Sequence, residues 1–223
     1  MTLIRQSWAV AGKDLRIEIR GRYAMGLILP FAGTLLIAFG LSLGPGRTLL
    51  QQTAPGLLWL AMLFASVLAF RRAYESESED DALEGLLLAP IDKASVFLGK
   101  AAAVAAQLLA LELVVTFLVA ALFGLSLGGR PALLAGAFVL GTIGLAAVGS
   151  LFGVLSESSR AREAVVPLLV LPLATPVLVA GVRATALATA GRGGAGSWLG
   201  LMAAFDVVFV AVGTLVFEYL LED

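Results

Sequence analysis

Six stretches of the chain are apolar enough, and all but one long enough, to fill a lipid bilayer: roughly 24–43, 55–70, 97–125, 132–155, 164–182 and 198–219. A bilayer core takes about 20 apolar residues per helix. Backbone amides inside it must bond within their own segment, so each stretch is predicted as an α-helix. The second is short unless it begins near Leu49, and the fifth carries Pro167, Pro172 and Pro176. Each proline removes an intrahelical hydrogen bond, so a kinked or broken helix is expected there. Composition agrees, with 60% of residues hydrophobic and 14% charged, against about 25% charged in a soluble domain. The reading is an all-α integral membrane protein with one transmembrane domain over 1–223. Its first apolar run follows a long basic stretch with no small-residue cleavage site, so it is read as a retained span rather than a signal peptide.

With six spans, Arg5, Lys13, Arg16, Arg20, Arg22, Arg71, Arg72, Lys93, Lys100, Arg160 and Arg162 fall on one side of the membrane. Only Arg47, Arg130, Arg183 and Arg192 fall on the other. The bias predicts that the first side, with both termini, is cytoplasmic. A net charge of −1 offers no basic field for nucleic acid.

Three connecting segments carry information. Over residues 3–20, Ile4, Trp8, Ala11, Leu15 and Ile19 share one helical face, with Lys13, Arg16 and Arg20 around the other. The pattern predicts an amphipathic helix over 1–22 lying in the cytoplasmic interface; the plainer reading is a charged N-terminal extension. Between the second and third spans, the 72–96 loop holds Glu75, Glu77, Glu79, Asp80, Asp81 and Glu84, then Leu83, Leu86, Leu87 and Leu88, and reaches Pro90. A solvated loop explains the acids but not the leucines, so a short cytoplasmic helix that docks on a partner is expected. The third segment, 183–197, is rich in small residues and glycine. It reads as a short interfacial helix over 183–190 with a flexible link, or as a plain loop.

Chemistry is sparse. With neither cysteine nor histidine, thiol catalysis, thiolate metal sites and bis-histidine haem ligation are excluded. No G-x-x-x-x-G-K-S/T loop is present to cradle phosphates, and the glycines of the spans, such as Gly136, Gly141, Gly149 and Gly153, suit close helix packing. Glu112 in the third span and Asp206 in the sixth are the carboxyls well inside the membrane. An ionised group there costs about 2.5–3.5 kcal/mol on insertion scales. They line a polar membrane path, with an outer aqueous cavity reaching Asp206, or they hydrogen-bond between helices as structural groups. Both readings stand on sequence alone. Two carboxyls without His, Cys or Lys give an enzyme little support, and no cofactor is expected on this chain.

At residue level the chain resembles the CcmB family, the haem exporter permeases of cytochrome c maturation. The likeness rests on Ala54-Pro55-Gly56-Leu57-Leu58-Trp59 and on Asp81-Ala82-Leu83-Glu84. It continues through Leu86-Leu87-Leu88-Ala89-Pro90 to Lys100, and in Leu169-Val170-Leu171-Pro172-Leu173-Ala174-Thr175-Pro176. It covers nearly the whole chain, although Ala82 stands where the family's D-G-x-L-E pattern has glycine. The resemblance implies an ABC-2-like permease of the bacterial inner membrane, with ATP on a separate CcmA-type ATPase and haem as cargo. It also implies CcmC- and CcmD-type subunits, an indirect CcmE-type haem chaperone, and either two permease copies or one with other Ccm subunits. Glu79, Asp80, Asp81, Leu83, Glu84, Leu86 and Leu87 would then form the ATPase coupling surface. The rival readings are an ABC-2 exporter of a lipid, glycan or drug, and a membrane scaffold without transport.

Overall fold

The structure is a computed structural model that describes residues 2–22, 24–78, 92–155 and 162–220. Helix α1 (Leu3–Gly21) ends where Arg22 turns left-handed at φ 51°, its N–H bonded to the Glu18 carbonyl. Val10 and Ala11 are buried, while Ile4, Trp8 and Ile19 remain 68%, 68% and 72% exposed. The apolar face read from sequence is therefore divided: Ala11 turns with Val10 into the protein, and the larger side chains stay exposed.

A π-helical turn, Ala24–Ile28, leads into α2 (Leu29–Leu43). There follow α3 (Arg47–Ser78), α4 (Lys93–Phe123), α5 (Pro131–Leu155), α6 (Arg162–Thr189) and α7 (Ala195–Leu220). Six apolar segments are long enough to cross a bilayer: Gly26–Leu43, Arg47–Phe70, Lys93–Phe123, Pro131–Leu151, Val170–Thr189 and Ala195–Phe217. The described residues contain helices and no strand. Several hydroxyls in the spans are satisfied inside their own helices: Thr34, Ser42 and Thr175 donate to the Pro30, Ala38 and Leu171 carbonyls at 2.8–3.0 Å.

Three helix limits differ from the sequence reading. α3 begins at Arg47 and runs through Pro55; the proline gives up its bond to the Gln51 carbonyl and crowds it, and the buried Ala54, Leu58 and Trp59 around it hold the helix. α6 is continuous from Arg162 to Thr189, so Pro167, Pro172 and Pro176 do not break it. Ala174, Val177, Ala180 and Ala184 are fully buried or nearly so, and packing between the neighbouring helices outweighs the three missing donors. Residues 183–189 also belong to α6, not to a separate link. Buried Thr185 and Ala188 hold them, and the link contracts to 190–194. There Gly191 adopts φ 68° and Arg192 N–H reaches the Leu187 carbonyl at 2.9 Å, the Schellman ending of a helix.

α3 and α5 form the centre, with 67% and 61% of their spanning windows buried against 17% for both α2 and α7. Trp59 of α3 is the largest core side chain. Its ring lies between Gly141 of α5 and Gly181 of α6, and its Nε1–H donates to Thr185 Oγ1 at 2.9 Å. Phe70 covers Gly149 and Phe97 covers Gly213 in the same manner. Packing of rings on glycine draws helices together where lipid supplies no hydrophobic force between them.

Candidate functional site

Glu112, Thr142 and Asp206 each lie eleven positions from the ends of α4, α5 and α7 at Phe123, Pro131 and Ala195. At 1.5 Å per residue that is about 16 Å, half of a core about 30 Å thick. The polar groups thus share one level near mid-membrane. Glu112 is fully buried; its Oε2 accepts from Thr142 Oγ1 at 2.9 Å, while Oε1 and the nearby Thr116 hydroxyl have no hydrogen-bond partner among the described residues. Asp206 is 6% exposed and neither of its oxygens is bonded. A Cβ on Gly144 would stand 2.6 Å from Asp206 Oδ1, so the carboxyl rests directly on the α5 backbone.

Thr142 and Gly144 are two positions apart on α5, and so about 200° apart around its axis. Glu112 and Asp206 therefore approach α5 from different sides, and the shared level does not make them one site. Asp206 is buried where α7 meets α5. Asp206→Asn is expected to leave the thermal midpoint of the purified protein within about 2 °C, because no bond is lost. A larger fall in differential scanning fluorimetry would mean that the acid makes a bond its amide cannot. Among the described residues, no three His, Cys, Asp or Glu side chains come together as metal ligands would.

A second feature lies at the other level of the bundle, where α1 meets the start of α4. Asp92 caps α4 by accepting from Ala94 N–H at 3.0 Å, and its own N–H donates to Gln6 Oε1 at 3.3 Å. Two turns on, a Cβ on Gly99 would meet Val10 Cβ at 2.6 Å and the Ser7 carbonyl at 2.7 Å, so the helices cross backbone to backbone. Lys100 is 3% exposed, with Nζ 3.9 Å from Asp14 Oδ2. The N-terminal helix is thus fastened to α4 along two turns. Sequence reasoning missed this brace; the small residue at 99 beside a cation inside an apolar run is the signal it offered.

The acidic and leucine-rich residues Glu79, Asp80, Asp81, Leu83, Glu84, Leu86 and Leu87 lie outside the described residues. Their anchors are described. α3 spans 32 residues, roughly 48 Å at helical rise, and runs on past the end of its apolar segment at Phe70 to Ser78. The chain is next described at Asp92, on the braced end of α4.

The fold and these features define a multi-pass α-helical membrane protein with buried mid-membrane carboxyls and an N-terminal helix braced against its third span. The CcmB protein family model matches residues 5–222, and the chain belongs to that family. Heme exporter protein B of Pseudomonas aeruginosa is 33% identical over 173 residues, covering 76% of this chain and 75% of the relative. The protein of that name in Bradyrhizobium diazoefficiens is 29% identical over 210 residues, 92% of each chain. The match to heme exporter protein B of Escherichia coli K12, at 34% identity over 93 residues, spans 42% of either chain, less than half the length of that relative.

Proposed function

We propose that this chain is the permease subunit of an ABC transporter acting in cytochrome c maturation, receiving the work of a separate ATPase through the 72–96 coupling loop. The observation that carries the reading is the joint between α3 and α4. On one side α3 overshoots its apolar span, and on the other α4 is fastened to α1 by Gln6, Val10 and Asp14. A push on such a segment would pass into α3 and α4 as rigid bodies, and through α4 into α1. The names of the relatives support haem as the cargo of the system. The chain itself offers only Met and Tyr as axial ligands, which favours a mechanical role over tight haem binding. ATP-driven release of a haem-loaded chaperone from a partner then fits as well as haem export. The Lys and Arg distribution supports an inner-membrane orientation with both termini cytoplasmic.

The test is genetic. In a bacterial host deprived of its own copy, this chain, expressed with its cognate ATPase, is expected to restore covalent c-type cytochromes measured by haem-stained gels. Normal insertion of the chain with no restored cytochrome would overturn the assignment.

A further inference from the structure

The end of the bundle remote from α1 carries charge without a counter-charge. Arg47, Arg130, Arg183 and Arg192 lie on its helix ends and turns, while residues 19–74, 113–156 and 164–205 contain no Asp or Glu. Two of these arginines frame an apolar furrow. A cavity of about 400 Å³ lies against α6 and the start of α7, between Leu187, Arg192 and Trp198. A second of about 240 Å³ lies between α3 and α6, lined by Leu60, Leu63, Leu178 and Val182. Val179 and Arg183 border both cavities. The helix ending at Gly191 fixes the backbone of Arg192 above them.

Depth and charge point to the occupant. From Leu187 to Leu178 the furrow runs nine residues down α6, about 14 Å. That is one leaflet of a core about 30 Å thick. Arg binds phosphate oxygens with paired donors, and Trp198 is the residue type that settles at headgroup level. Apolar cavities on both sides of the Val179–Arg183 ridge suit two flexible chains joined at one head, and not a rigid plane. With two guanidiniums and no carboxylate at the mouth, a zwitterionic head would bring a third cation into the site. We propose that this furrow holds one anionic phospholipid of the adjoining leaflet, its headgroup paired with Arg183 and Arg192.

Native mass spectrometry tests this on the full chain, purified in detergent and loaded with equal amounts of phosphatidylglycerol and phosphatidylcholine. The wild type is expected to retain phosphatidylglycerol preferentially, as are Arg183→Lys/Arg192→Lys and Arg47→Gln. Arg183→Gln/Arg192→Gln is expected to lose about ten-fold of that preference. Equal retention of both lipids by the wild type, or an undiminished preference in the glutamine variant, would overturn the proposal. So would displacement of the lipid by hemin one for one, or a dimer mass that disappears in the glutamine variant without loss of lipid; these results would give the furrow to haem or to a second copy of the chain.

Discussion

Leucine at Gly141 is expected to prevent the bundle from assembling as a monodisperse protein. A Cβ there would fall within the ring of Trp59 and stand 3.0 Å from Met202 Cε. The ring has nowhere to retreat. On its other side a Cβ at Gly181 would lie 2.5 Å from Cε2, and its Nε1–H is held by Thr185. Extra methylenes in a filled core cost about 1–3 kcal/mol, and a whole isobutyl group in a slot with glycine walls costs more. Against a total stability of about 5–15 kcal/mol, three central helices would have to separate. Fluorescence-detected size exclusion checks this, with Gly141→Ala intermediate. Gly33→Leu, on a peripheral helix with no atom within 4 Å of its added Cβ, should behave as wild type. Equal recovery of the two leucine variants would show that Trp59 does not lock α3 to α5 and α6.

The second large effect concerns an interface. Leu83→Asp combined with Leu87→Asp is expected to abolish co-purification of the chain with its ATPase. The two positions are four apart and would share one face of the cytoplasmic helix expected from the sequence, where each leucine buried against the partner would contribute about 1.5–3 kcal/mol. The acids around them would form exposed pairs worth at most about 1 kcal/mol each, so charge swaps such as Glu79→Lys should weaken the complex less. Full co-purification of the double aspartate variant would remove the leucines from the coupling surface.

The six spans were legible because lipid leaves the backbone only one local solution, and apolar length states it directly. Limits set by tertiary contact were not. The prolines of α6 suggested a break on local chemistry, yet buried Ala174, Val177 and Ala184 hold the helix through them. The α1 periodicity gave the helix but not its division, since Ala11 and Ile4 fall on the same apolar face and only the crossing at Gly99 separates them. Glu112 and Asp206 were evident as membrane carboxyls, while their separation by α5 needed the register of Thr142 and Gly144. The furrow at Arg183 left no sequence signal beyond two scattered arginines, because its walls come from three helices.

The claim at the centre is that this membrane chain receives force from a separate ATPase. Its most direct measurement is the ATP turnover of that ATPase with and without the wild-type chain, co-reconstituted in nanodiscs. A stable complex whose turnover changes on adding the chain, and returns to the free rate with Leu83→Asp/Leu87→Asp, is the expected result. An ATPase that neither binds the wild-type chain nor alters its turnover would contradict it.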